Sequence, residues 1–121
     1  MLAYFIQRHH PALNTMNIEQ ARFNMIEQQI RPWRVNDGRV LGILAEVRRE
    51  DFVPAASQGM AFADTEVPLN IDGHASGQVM LAPKVEARLL QDLAIQPHEK
   101  VLEVGTGSGY GTALALSLIH I

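Results

Sequence analysis

The stretch from Lys100 to Ala113, Lys-Val-Leu-Glu-Val-Gly-Thr-Gly-Ser-Gly-Tyr-Gly-Thr-Ala, constrains the fold of this chain more than any other. Val101, Leu102 and Val104 are apolar, two of them β-branched, and glycine follows at once, which predicts a short buried strand. Gly105, Gly107 and Gly109 come next at a spacing of two. Glycine is needed where the backbone takes positive φ or where a ligand presses against the main chain. A helix opening after this turn offers free backbone N–H groups and the positive end of its dipole. Strand, glycine turn and helix together form the cradle of an α/β fold, suited to an anionic or polar group of a ligand.

The spacing narrows the ligand by exclusion. A dinucleotide fingerprint needs Gly-x-Gly-x-x-Gly. Counted from Gly105 and Gly107 its last position is Tyr110; counted from Gly107 and Gly109 it is Thr112, so both registers fail. A phosphate-binding P-loop needs Gly-Lys-Ser/Thr after four residues, and none is present. What remains is Glu103, Val104 and then Gly-x-Gly-x-Gly. This resembles motif I of the S-adenosylmethionine-dependent methyltransferases with a Rossmann-like fold. The resemblance implies that the donor's methionine end lies over Gly105, Thr106, Gly107, Ser108, Gly109 and Tyr110, with backbone amides meeting its carboxylate and Glu103 holding its ammonium. A tight strand-to-helix turn without ligand is the plainer alternative.

Composition sets outer bounds. The 121 residues suffice for one small domain. With 47% hydrophobic and 19% charged residues the chain has ordinary globular composition. A net charge of −3 and no basic cluster beyond Arg48-Arg49 speak against a nucleic-acid footprint. The absence of cysteine excludes disulfides and thiolate metal sites and fits a cytoplasmic setting. No apolar run approaches the roughly 18 residues of a membrane span, and the start, Met1-Leu-Ala-Tyr-Phe-Ile-Gln-Arg, is no signal peptide.

Residues 1–15 match no periodic element and read as a disordered or spurious lead; the adjacent His9 and His10 read as solvated, without a third metal ligand nearby. Asn17 is a strong N-cap with Gln20 three residues on, predicting a helix start. Phe23, Ile26, Ile30 and Trp33 form its apolar stripe, and Pro32 stops it near Arg31. A second helix is expected from about Asp37 to Val47, with Val40, Leu41, Leu44 and Val47 inward, and Arg48-Arg49-Glu50-Asp51 as a solvated exit. Proline and glycine punctuate residues 52–81, where short strands or irregular segments are expected. Pro83 suits a first helical position, Val85, Leu89, Leu90 and Leu93 form the buried face behind it, and Pro97 closes that helix.

Several of these segments carry a more specific resemblance. Asn17-Ile-Glu-Gln-Ala-Arg-Phe-Asn-Met-Ile-Glu-Gln-Gln-Ile-Arg is similar to the N-terminal helix of bacterial proteins in the protein-L-isoaspartate O-methyltransferase family. Val47-Arg-Arg-Glu-Asp-Phe-Val-Pro resembles that family's arginine-glutamate-x-phenylalanine-valine-proline segment. Phe62-Ala-Asp-Thr-Glu-Val-Pro-Leu69 resembles its next landmark, and Gly77-Gln78-Val79-Met80-Leu81-Ala82-Pro83 stands in the place of its Gly-Gln-Thr-Ile-Ser-x-Pro loop. The landmarks keep the family's order over about residues 16–115. The resemblance implies methyl transfer from S-adenosylmethionine to the α-carboxylate of an L-isoaspartyl residue in a damaged protein or peptide. The ester then cyclises to a succinimide that can reopen to aspartate. This is an in-line displacement in which opposite charges are neutralised, so alignment supplies much of the effect, about 7–11 kcal/mol where orientation is good. The resemblance places Gln78, Val79, Met80, Leu81 and Ala82 at the donor with the motif I residues.

Leu81 is a departure. It occupies the position of the family's active-site serine and has no hydroxyl to offer a carboxylate; an unpaired buried polar group costs roughly 1–3 kcal/mol. Val79 in place of threonine makes the loop more apolar still. Two alternatives stay open: a non-catalytic S-adenosylmethionine-binding module that uses the Leu81 surface for a partner, and a methyltransferase with a different acceptor. The hexapeptide Leu116-Ser-Leu-Ile-His-Ile121 looks like an in-frame translation of a transposon-end sequencing adapter. The expectation is therefore a gene fragment: a lead over 1–15, a helical and loop region over 16–97, the start of a Rossmann-like α/β methyltransferase core over 98–115, truncated after its first strand and glycine turn, and a foreign tail over 116–121. Such a fragment is expected to be inactive alone, and its oligomeric state cannot be read from the residues.

Overall fold

The computed structural model describes residues 11–119; the expectations for His9, His10 and the last two residues lie outside them. Helix α1 (Pro11–Met25) continues without a break into a single π-type turn, Ile26–Ile30, and a 3-10 turn, Arg31–Trp33. It therefore begins six residues before the Asn17 cap expected from sequence, and Pro11 to Thr15 are helical rather than irregular. Pro32 sits at the start of the 3-10 turn, where its missing N–H is harmless, and the chain leaves the helical course at Arg34, whose φ is 62°.

The apolar stripe is only half as read: Phe23 lies before the π-type turn and faces outward on α1, and the turn changes the course of the stripe beyond it. Adding a residue to one turn rotates everything after it relative to a 3.6-residue repeat. Met25, Ile26 and Ile30 are buried, whereas Phe23 is 58% exposed and Trp33 lies outside the core. Trp33 instead lies under Lys84, whose Nζ is 4.5 Å from the ring centroid. Helix α2 (Gly38–Glu46) begins as expected: the Asp37 side chain accepts from the Arg39 amide, and Val40 and Leu44 are buried, joined by Ile43. Gln91 ties the α1–α2 connection to a later helix, its Oε1 accepting from the amides of Asn36 at 2.8 Å and Asp37 at 3.0 Å.

The charged run after α2 is not solvated. Arg49 to Phe52 form a 3-10 turn in which Arg49 is 0% exposed and Glu50 is also buried. Glu50 accepts a bidentate pair from the buried Arg22 of α1, at 2.8 and 2.7 Å. The Arg22 guanidinium lies over the Phe62 ring, 5.3 Å from its centroid. Sequence showed four consecutive charges and no partner; the partner is 28 residues away, across the core.

A further 3-10 segment, Ala55–Met60, leads into an antiparallel hairpin of β1 (Val67–Ile71) and β2 (His74–Met80). Val67 pairs with Met80 and Ile71 with His74, with an irregularity between Leu69 and Asn70. The turn residues Asp72 and Gly73 have φ of 50° and 79°, the positive values a two-residue type I′ turn requires. The Ser76 hydroxyl bridges the irregularity by donating to the Leu69 carbonyl. Helix α3 (Pro83–Leu93) starts on Pro83 as expected and buries Pro83, Ala87 and Leu90; Leu89 and Leu93, expected inward, are exposed. It ends not at Pro97 but at Ala94, in the left-handed region with φ 50°.

The expected strand at Val101–Val104 is absent. Among the described residues no segment pairs with it, the sheet holds only β1 and β2, and Leu102 and Val104 are 90% and 87% exposed. Strand geometry needs a neighbour to take its backbone N–H and C=O groups, and apolar alternation alone does not supply one. The glycine turn follows, then helix α4 (Tyr110–Ile119), which buries Tyr110, Leu114 and Leu118. The helix crosses position 116 without interruption, and Arg39 of α2 donates to the Leu118 carbonyl at 3.1 Å. One core, from Met25 to Leu118, joins all four helices and the base of the hairpin.

Candidate functional site at the glycine turn

Three parts of the chain meet around one small cavity of about 100 Å³. The end of β2 and the residue after it contribute Val79, Met80 and Leu81; the first turns of α3 contribute Glu86; the glycine turn and the start of α4 contribute Glu103, Gly105, Thr106, Gly107, Ser108, Tyr110 and Gly111. The two segments singled out in the sequence, separated by more than twenty residues, thus form opposite walls of the same site. Of the expected donor contacts, Gln78, Ala82 and Gly109 do not line it. Gln78 is exposed on β2, Ala82 is buried just before α3, and Gly109 bonds back to the Thr106 carbonyl at 2.9 Å.

The backbone explains the glycines. Gly105, Gly107 and Gly109 have φ of 78°, 56° and 89°, a region that costs other L-residues roughly 1–2 kcal/mol each. At Gly107 a Cβ would also stand 3.3 Å from the Leu69 side chain of β1, so the turn lies close against the hairpin. Gly111 is held for a different reason. A Cβ there would lie 2.5 Å from Glu86 Oε1 and 2.9 Å from Glu103 Oε2. A larger residue there would have to push aside the ends of both glutamate side chains. Thr112 donates its hydroxyl to Glu103 and steadies that side chain.

Beneath the cavity sits Arg49. Its Nε donates to the Ala61 carbonyl at 2.8 Å and its Nη2 to the Leu81 carbonyl at 3.0 Å, so it anchors the loop that forms the cavity's far wall. Its guanidinium carbon lies 5.0 Å from the centroid of the Tyr110 ring, which also packs on Phe52 at 5.6 Å. Arg49 Nη1 and the Tyr110 hydroxyl are buried with no hydrogen-bond partner among the described residues. Burial pushes the Tyr110 hydroxyl up to about 12, against the pull of Arg49. Burial likewise raises the Glu86 carboxyl; Arg49 opposes this and Glu103 reinforces it.

Three residues of this arrangement were not legible as site residues. Gly111 extends the alternation of glycines by one more step, a signal present in the sequence. Glu86 is one acid in a charged first helical turn and reads as surface. Arg49 gives no sign of being other than solvated until Leu81 and Tyr110 are folded around it.

The comparisons with known proteins bear on this same segment. A sequence model described as protein-L-isoaspartate(D-aspartate) O-methyltransferase matches residues 20–120. The chain belongs to the protein-L-isoaspartate O-methyltransferase family. Relatives of that name include one from Herpetosiphon aurantiacus, 39% identical over 102 residues covering 84% of this chain and 43% of that protein. Another, from Aeropyrum pernix, is 47% identical over 100 residues covering 83% and 36%, and one from Koribacter versatilis is 40% identical over 104 residues covering 86% and 44%. The chain thus spans about two-fifths of the length of these methyltransferases. The family match covers the whole cavity and the buried Arg22–Glu50 pair, and it agrees with the landmarks read over about 16–115. Membership implies the methyltransferase α/β fold, and the described residues, rich in helix with one two-stranded sheet, are compatible with a truncated piece of it. No described helix is long and apolar enough to cross a membrane.

Proposed function

We propose that the protein takes part in S-adenosylmethionine-dependent methylation of the α-carboxylate of L-isoaspartyl residues in damaged proteins or peptides. The observation that carries the reading is the single cavity formed by Val79–Leu81 and the glycine turn in a chain of this family. The residues present fit the donor. Gly105 and Gly107, both at positive φ, bring main chain to the cavity wall, and Glu103 adds a carboxylate. About 100 Å³ accommodates the amino-acid end of such a ligand rather than the whole of it. When bound, S-adenosylmethionine supplies a methyl group on a sulfonium that a carboxylate can displace.

The chain's own part is to hold and orient. Amides of the glycine turn bind a carboxylate, Glu103 binds an ammonium, and Met80 with Leu81 excludes water from the far wall. Arg49 fixes the Leu81 carbonyl and so the height of that wall. No residue is needed as a strong base, because the nucleophile is already a carboxylate.

Leu81 favours a second reading, a donor-binding protein whose acceptor is not an isoaspartyl residue, since this part-buried wall position has no hydroxyl. Titration calorimetry of the 121-residue chain with S-adenosylmethionine comes first; heat with 1:1 stoichiometry is expected. Labelled donor with an isoaspartyl peptide comes second. The 121-residue chain, with Val101–Val104 unpaired, is expected to give no turnover. A chimera carrying residues 20–115 in place of the matching segment of the Herpetosiphon relative is expected to turn over. Donor binding without turnover in the chimera would favour the second reading, and absence of donor binding in both proteins would refute the first.

A further inference from the structure

We propose that Ser76 is a positioning residue: its hydroxyl holds a bulge in β2 that sets Met80, rather than Gln78, opposite Val67 and so brings Leu81 to the donor cavity. The inference deepens the donor-binding reading and rests on it. The Asp72-Gly73 turn pairs Ile71 with His74 and Asn70 with Ala75. An unbroken ladder from that turn would run on to pair Val67 with Gln78. Instead Leu69 meets Gln78 and Val67 meets Met80, so β2 holds two residues, Ser76 and Gly77, with no counterpart on β1. Strand residues advance about 3.3 Å each, so the unbroken ladder would leave Met80 and Leu81 roughly 7 Å from their present place.

Side-chain alternation does not choose between these registers. Its period is two, so a slip of two residues returns every side chain to the same face. Groups at the irregularity must take part in the choice. The Ser76 hydroxyl donates to the Leu69 carbonyl and accepts from the Gln78 amide at 3.1 Å. It thereby ties together the two residues that pair where the regular ladder resumes. Gly77 has φ 77°, and a Cβ built there would meet nothing within 4 Å, so glycine serves its backbone conformation and not a need for space. Bulges of this kind re-aim the residues beyond them. Two contacts carry the effect into the site. Leu69, held by Ser76, lies against the glycine turn, 3.3 Å from where a Gly107 Cβ would stand. Leu81, beyond the bulge, has its carbonyl held by Arg49 at 3.0 Å, and a slip would take that carbonyl out of reach.

The competing account gives the register to the burial of Met80 opposite Val67 alone, with the Ser76 hydroxyl incidental. Removing the hydroxyl decides between them. Cross-strand nuclear Overhauser contacts in the 121-residue chain report whether Val67 faces Met80 or Gln78, without any ligand. Calorimetry at the same temperature, well below melting, reports affinity for S-adenosylmethionine. Ser76→Ala is expected to show Val67–Gln78 contacts and about tenfold weaker donor binding, as when about nine-tenths of the molecules leave the competent register. Ser76→Thr keeps the hydroxyl and is expected to restore both. Gly77→Ala, which opposes φ 77°, is expected to repeat the loss and serves if Ser76→Ala does not fold. Unchanged contacts and unchanged affinity in Ser76→Ala overturn the proposal while leaving donor binding intact. A changed affinity without a changed register, or the reverse, also overturns it, as does a loss that Ser76→Thr fails to restore. A wild-type chain that binds no donor refutes the donor-binding reading and this inference with it.

Discussion

Arg22 and Glu50 are both buried and joined by two hydrogen bonds, with Glu19 and Arg48 as outer partners of the pair. Burial alone would raise the Glu50 carboxyl, but its hydrogen bonds with Arg22 and its own backbone outweigh this, and it is held below its ordinary value of 4.5. A lowered carboxyl contributes stability that is present above the unfolded value and is lost as pH falls through the folded one. Wild type is therefore expected to lose stability as pH falls below 4.5, while Glu50→Gln loses less over the same descent; urea midpoints at each pH check this. At neutral pH, Glu50→Gln leaves the buried Arg22 with only the exposed Glu19 as a charged partner, and a loss of about 2–4 kcal/mol is expected in the same melts. At the cavity wall, Leu81→Ser in the chimera restores a hydroxyl and is expected to raise turnover of an isoaspartyl peptide by about tenfold, the worth of one hydrogen bond to a charged group. No change in turnover would mean that the acceptor does not approach this wall.

At the scale of elements, the hairpin and the π-type turn are the two features that place the site. The type I′ turn at Asp72-Gly73 pairs Ile71 with His74, the irregularity at Leu69 and Asn70 shifts the register so that Val67 meets Met80, and Met80 opens the loop that forms the cavity's far wall. Gly73→Val puts a β-branched residue at φ 79°, so a stability loss of at least 1–2 kcal/mol is expected, together with weaker donor binding as the loop after β2 shifts. Calorimetry on the folded variant checks the second part. The Asp-Gly pair is a strong local hairpin signal, and with it these strands were within reach of the sequence, because a two-residue turn is a local event. The π-type turn was not within reach. Its extra residue moves Trp33 out of the core, and nothing in Ile26–Ile30 distinguishes it from an ordinary helical turn before packing.

Across the whole molecule, Val101–Val104 is the segment where local pattern and tertiary structure part. Its amides have no backbone partner among the described residues, so hydrogen exchange in the 121-residue chain is expected to be fast there and slow in α2, where Ile43 and Leu44 are fully buried. Protection of Val101–Val104 equal to that of α2 would show that the segment is paired in solution. The sequence by itself determined the order of landmarks, the start of α2 and α3, and the glycine turn. Each depends on a residue's own backbone: Asp37 as a cap, Pro83 with its fixed φ, Gly105, Gly107 and Gly109 at positive φ. Tertiary structure alone decided which charges are buried, which apolar residues are not, and what the cavity contains. Arg49 looks solvated until Ala61, Leu81 and Tyr110 surround it, and Glu86 reads as surface until α4 brings Gly111 against it. Those facts depend on distances between residues far apart in the chain, and no local propensity encodes them.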